Sequence, residues 1–426
     1  MRSSSRSDLP GTAAKDVSAV AHKTPVVAIT DTAATLDMAR LRGYRLGRVR
    51  EQLKKHDCAG CLLIDPINIR YATGSRNYGM FQSHTPGRYL FVAAEGPVVL
   101  FDAVACHEVA RGLETITELR PAVPFSFFFS GPRLAESIEG WAAELASLFR
   151  GSAGGNKRLA ADRCDVMCAS ALTRHGLELV DAQGPVERAR SIKSAEEILC
   201  MNYSLAVADI AMARMREALK PGLTENELFA ILYHTNIAMG GEWIDARMLT
   251  SGDRTNPWLQ ESSERRIRPG ELVAFDADMV GPFGYCSDVS RTFFCGPGRP
   301  SDAQRHLYKL AYEEIQHNMA LVKAGVGFRE LAEKAYRQAD EYVPNRYMLL
   351  AHGIGLCDEY PSIYYRQDVD KYGFDGVLEE NMTICVESYV GAVGGREGVK
   401  LEHQVLVTAK GCELLSKFPF EDELLR

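Results

Sequence analysis

Short apolar runs alternate with stretches of helical period along the first part of the chain. From about Leu36 to Val186 the apolar runs are GCLLIDP (60–66), RYLFVAAEGPVVLF (88–101), LAADR (159–163) and LELVDA (177–182). Strands separated by helical patterns predict an α/β domain. This part holds no concentration of acids or histidines, so it is expected to support, cover or pair subunits rather than carry chemistry. From Ser191 a long helical pattern begins, SIKSAEEILCMNYSLAVADIAMARMREALKPG, and closes at Pro221-Gly222. A second helix follows in TENELFAILYHTNIAMGG, where Thr224 and Glu227 have the spacing of a capping box. The remainder is strand-rich, with helices predicted at about 302–323 and 327–341. The boundary falls near residue 190, giving domains over 36–190 and 191–426. Residues 1–35, rich in Ser, Ala and Thr, are expected to form a mobile arm.

Composition narrows the function. The chain has 426 residues with 49 basic against 56 acidic, a net charge of −7, and no basic patch interleaved with aromatics. Nucleic acid is not an expected partner. The 11 cysteines are odd in number and scattered, mostly in apolar runs, which suits a reducing compartment better than a disulfide framework. Cys58 and Cys61 form a C-x-x-C, but no second pair follows at zinc-site spacing. No run approaches the ~18 consecutive apolar residues of a membrane span, and the first 35 residues lack a signal-peptide apolar core. A soluble, cytoplasmic protein without a membrane partner is expected. PFSFFFSGP (124–132) is read first as core and second as a surface that meets a partner subunit.

Chemistry enters at VAFDADMVGPFGYCSDVSRTFFCG (273–296). A strand alternates faces, so Asp276 and Asp278 share one face while Phe275, Ala277 and Met279 take the other. Gly281, Pro282 and Gly284 mark a turn, and the return strand can bring Asp288 opposite the pair. Charges among apolar neighbours need compensation, and a tight carboxylate cluster holds hard cations through oxygen. Further ligand candidates lie downstream: His352 in LLAHGIGL, Glu387 in NMTICVESYV and Glu402 in GVKLEHQVLVT. Taken singly, each also fits an ordinary core histidine or strand-edge glutamate.

The order Asp, Asp, His, Glu, Glu, with the flanks IKSAEE, KPGLTENEL, SDVSRTF, HGIGL and LEHQVLVT, resembles the pita-bread superfamily of methionine aminopeptidases, prolidases, aminopeptidases P and creatinase. The resemblance implies an α/β N-terminal domain of creatinase type followed by an α+β pita-bread metalloenzyme domain, and a homodimer. It also implies two metal ions bridged by carboxylates, with one histidine on one of them. Asp288, His352, Glu387 and Glu402 match by position. The first aspartate departs from the pattern, because position 277 is alanine with acids on either side. A one-residue adjustment of the hairpin would add both Asp276 and Asp278 to the ligands. Iron is the metal the resemblance favours; oxygen ligands with one imidazole also suit manganese, zinc or cobalt.

Two histidines that handle the scissile amide in prolidases and aminopeptidases P are missing. Trp258 follows Pro257 where the first would stand, and Glu359 occupies the place of the second. CDEYPSIYY (357–365) instead offers Asp358 beside Tyr360, Tyr364 and Tyr365. Two metals clamp a carboxylate, an aspartate can act as general base, and aromatic faces attract an onium cation. A small zwitterionic substrate fits that inventory, with Asp358 as catalytic base and Trp258, Tyr360, Tyr364 and Tyr365 as substrate contacts. Within the superfamily the pattern resembles the dimethylsulfoniopropionate lyases of the DddP type, which release dimethyl sulfide and acrylate. The alternatives are a proline-type dipeptidase or aminopeptidase with two metal ions, and a non-catalytic peptide-binding module. The missing histidines weigh against the first and the retained ligand set against the second.

Overall fold

The computed structural model describes residues 36–426; the arm expected at 1–35 lies outside the described residues. The apolar runs of the first part assemble into one six-stranded sheet. Its order in space is Glu118–Pro121, Val98–Asp102, Tyr89–Ala93, Gly60–Leu63, Arg158–Ala161, Glu178–Asp181. Gly60–Leu63 pairs antiparallel with Tyr89–Ala93 and parallel with Arg158–Ala161. The three strands Gly60–Leu63, Tyr89–Ala93 and Val98–Asp102 are buried at every position, as strands covered on both faces must be. The run 88–101 is a hairpin broken at Gly96, whose φ of +123° suits glycine.

Only one of the four phenylalanines at 125–129 is core. Phe125 is buried against Tyr89 and Trp141, whereas Phe127, Phe128 and Phe129 are 68%, 70% and 46% exposed. They lie on the short helix Phe127–Ser130, and three consecutive helical positions spread around the axis, so they cannot all face one core.

The second part begins with the helices Ala195–Ala218 and Glu225–Ala238, each closed by a capping box, Ser194 with Glu197 and Thr224 with Glu227. Ala195–Ala218 is long and apolar enough to cross a membrane by length and composition, but 50% of its most apolar window is buried in the fold. Asp302–Leu321 forms as predicted, while the helix predicted at 327–341 is only Phe328–Lys334. There the Asn318 side chain accepts the Tyr336 N–H (2.8 Å) and draws the chain out of helical path.

A five-stranded antiparallel sheet in the order Asp358–Tyr364, Leu349–Ile354, Thr383–Val390, Val399–Val407, Cys412–Leu414 backs the second part. The acid-bearing hairpin lies against it. Thr292 Oγ1 donates to the Lys400 carbonyl (2.9 Å) and accepts the Lys400 N–H (3.1 Å). A buried ion pair ties the two parts together: Arg190, which also donates to Asn68 of its own part (2.7 Å), donates to Glu359 (3.0 Å), and Lys193 shares that Glu359.

Candidate metal centre and its cavity

The hairpin carries its acids without any insertion. Leu272 pairs with Phe294, Asp276 with Ser290, and further along Met279 with Ser287 and Val280 with Cys286, all in one register. The one-residue adjustment expected from the sequence does not occur, because alternation alone puts Asp276 and Asp278 on one face with Asp288 across from them. The strand changes its other neighbour at this point. Asp276 N–H still donates to Met248 O (2.8 Å), whereas Asp278 O accepts from Asp245 N–H (2.9 Å).

Carboxylate oxygens of Asp276, Asp278 and Asp288 lie within 4.8 Å of one another, and so do donor atoms of Asp288, His352, Cys385 and Glu402. Glu387 faces Glu402 directly across adjacent strands. His352 Nδ1 lies 3.1 Å from Gly353 O, leaving Nε2 toward the acids, 3.2 Å from Glu387 Oε1 and 3.4 Å from Asp288 Oδ2. A backbone carbonyl on one ring nitrogen fixes the other as the ligand.

Lys400 was not singled out in the sequence. Its fully buried Nζ lies 2.5 Å from Glu387 Oε2, 2.6 Å from Ser290 Oγ and 3.4 Å from Asp276 Oδ2. It stands two residues before Glu402 on one strand, and that spacing gives them a shared face.

One ammonium does not neutralise this many acids. Burial pushes the Asp276 carboxyl up to about 6, with Lys400 pulling it down and Glu402 pushing it up. Burial, with Glu402, Asp276 and Asp278 as neighbours, holds Asp288 well above the ordinary range, and Asp278 is raised for the same reasons. Burial alone would lower His352, but Glu387, Asp358 and Glu402 raise it to about 10. Asp276 Oδ1 and Glu402 Oε1 are buried without a hydrogen-bond partner. Oxygen donors, one imidazole and orphaned acceptors fit metal ions well.

The centre opens into a cavity of about 230 Å³ lined by Asp245, Asp276, Asp278, Asp288 and Asp358, with Met248, Leu259, Tyr347 and His352. Asp358 stands at its mouth, 75% exposed, with Oδ1 3.9 Å from His352 Nδ1. Partial burial and the acids Glu402 and Asp276 raise its carboxyl, with His352 opposing. Its neighbour Glu359 is buried on Arg190 and Lys193, so the acid pair divides into one residue for the cavity and one for the fold.

The aromatic residues named from sequence do not line this cavity. Trp258 stacks on Tyr389 behind it, with its ring 5.9 Å from Lys400 Nζ. Tyr360 stacks on Phe374 beneath Arg188, Tyr364 leans on Tyr372, and Tyr365 is buried with its hydroxyl on Glu314. The register shifts between the pairs Gly353–Glu359 and His352–Ser362, so residues beyond Glu359 leave the cavity. Tyr347 is the aromatic residue that lines it.

Residues 45–192 match the creatinase/prolidase N-terminal domain and residues 199–409 match metallopeptidase family M24. The Xaa-Pro dipeptidase from Bacillus anthracis shares the fold at a TM-score of 0.71 and 23% identity, over 89% of this chain and 99% of that one. The prolidase from Pyrococcus furiosus does so at 0.68 and 22% identity, over 86% and 99%. Fold and acid–histidine centre together define a pita-bread protein of the M24 creatinase/prolidase class. Within that class, the dimethylsulfoniopropionate lyase DddP of Roseovarius nubinhibens is 36% identical over 394 residues, 91% of this chain and 88% of that protein. Its counterpart in Roseobacter denitrificans is 34% identical over the same shares. The chain belongs to the DddP family of lyases.

Proposed function

We propose that the chain cleaves dimethylsulfoniopropionate to dimethyl sulfide and acrylate. The observation that carries this reading is Asp358, an exposed carboxylate at the mouth of the acid cavity beside His352, where the peptidase pattern calls for no acid. Asp276, Asp278, Asp288, His352, Glu387 and Glu402 would hold two transition-metal ions, iron first, with manganese, zinc or cobalt also suited to the donors. When bound, the metal supplies Lewis acidity that holds the substrate carboxylate and stabilises negative charge beside it. Asp358 takes the proton from the carbon next to the carboxylate. The electron pair released becomes the carbon–carbon double bond, the carbon–sulfur bond breaks, and the sulfur leaves with its pair as neutral sulfide. The narrow cavity, about 230 Å³, suits a small substrate.

The reading extends to assembly and compartment. The exposed Phe127, Phe128 and Phe129, with Phe81 edge-on to Phe128 at 6.2 Å, support a homodimer contact. Eleven free thiols support a reducing, cytoplasmic setting. Incubating purified protein with dimethylsulfoniopropionate and, separately, with an X-Pro dipeptide tests the reaction. Volatile sulfide is the expected product; free proline without sulfide would overturn the proposal.

A further inference from the structure

We infer that Asp245, held in place by Trp243, recognises the cationic end of the substrate; this rests on reading the cavity as a site for a small zwitterion. Asp245 is exposed at the mouth of the same cavity as Asp358. It is fixed twice, by its backbone N–H on Asp278 O (2.9 Å) and by the Trp243 indole N–H on its Oδ1 (2.7 Å). Trp243 is fixed in turn. Its backbone pairs with Val280 beside the metal acids, and its ring lies so close to Gly79 that a side-chain carbon there would sit 2.6 Å from it.

Charge balance gives Asp245 its role. Asp276, Asp278, Asp288, Glu387 and Glu402 face Lys400, His352 or the metal ions they would hold, and Asp358 has His352 at 3.9 Å, which leaves Asp245 as the acid of the cavity without a cationic partner. Asp358 must stay free to take a proton. Among the described residues no lysine, arginine or histidine pairs with Asp245; its interactions are with Trp243 and, across the cavity, with the Asp358 carboxylate, which together with burial raises its own. A sulfonium neither donates nor accepts a conventional hydrogen bond, so it is recognised by a fixed negative charge and by apolar surface for its methyl groups. Asp245 supplies the charge, and Met248 and Leu259 line the same cavity.

The test compares two carboxylates of similar shape. One, 3-(trimethylammonio)propanoate, is cationic at the end away from the carboxylate, and the other, 4,4-dimethylpentanoate, has carbon in place of that nitrogen and is neutral there. Their binding to metal-loaded protein is measured by calorimetry, for wild type, Asp245→Asn and Trp243→Phe. Wild type is expected to prefer the cationic ligand. Asp245→Asn should weaken that ligand roughly two- to fivefold, the scale of a partly screened ion pair, and leave 4,4-dimethylpentanoate unchanged. Trp243→Phe should move the same preference in the same direction by less, and KM for the sulfonium substrate should follow with a smaller change in kcat. Equal weakening of both ligands, or none, would overturn the role of Asp245. The calorimetric comparison needs no turnover, so a wild-type protein that binds as expected but releases no sulfide would overturn the lyase reading alone.

Discussion

Lys400 Nζ lies 2.5 Å from Glu387 Oε2, so a fixed cation is built into the wall of the acid centre. Removing one partner of a buried pair leaves the other uncompensated and costs about 3–5 kcal/mol. Lys400→Met is therefore expected to lower unfolding free energy by about that amount, and more after chelation, when no metal shares the load. Chemical denaturation with and without chelator measures it. An unchanged midpoint in chelated protein would remove Lys400 from the electrostatics of the centre.

The ligand set converges from separate strands, so loss of one member weakens the whole. The wild type is expected to hold two metal ions per chain, and His352→Ala and Glu402→Ala are expected to lower metal content well below the wild-type level and to lower turnover with it, as elemental analysis of the purified proteins would reveal. Full metal content with normal turnover in either variant would exclude that residue from the site.

Much of this centre was legible from sequence. Asp276, Asp278 and Asp288 come together because a two-residue period survives folding, and His352, Glu387 and Glu402 sit on buried strands with distinctive flanks. Lys400 was readable by the same period from Glu402 and was missed because a lysine in a strand suggests solvent. Asp245 and Tyr347 reach the cavity only through tertiary contacts, with nothing in their own flanks to announce it. The tyrosines after Asp358 lie outside the cavity for the converse reason: closeness in sequence did not survive a register shift.

Glu314, bonded to Ser388 next to Glu387, offers a pH test. Its carboxylate accepts from Ser388 Oγ (2.6 Å), Gln338 Nε2 (2.7 Å) and Tyr365 OH (3.2 Å), yet burial pushes it up to about 7. The folded value lies above that of an unfolded glutamate. The contribution is thus fully present below the unfolded value and is lost as pH rises through about 7. Glu314→Gln should remove this dependence, shrinking the difference in unfolding free energy between roughly pH 4 and pH 8 by on the order of 3 kcal/mol. Identical pH dependence in variant and wild type would contradict the assignment.

Three adjacent exposed phenylalanines set the expectation for assembly. Light scattering should give a mass near twice the 47.1 kDa chain, and the double variant Phe127→Ser with Phe128→Ser should shift it toward the monomer. A monomeric wild type, or a dimer untouched by the substitutions, would dissociate this patch from assembly.

Asp358 and Glu359 are adjacent, but one faces the cavity and the other anchors Arg190 and Lys193. Turnover of dimethylsulfoniopropionate by Asp358→Asn, measured alongside its metal content, tests the central claim most directly. The account predicts intact fold and metals with turnover lowered on the order of 10²–10⁴-fold, the usual contribution of a positioned base. Near-normal turnover in a metal-replete Asp358→Asn protein would contradict it.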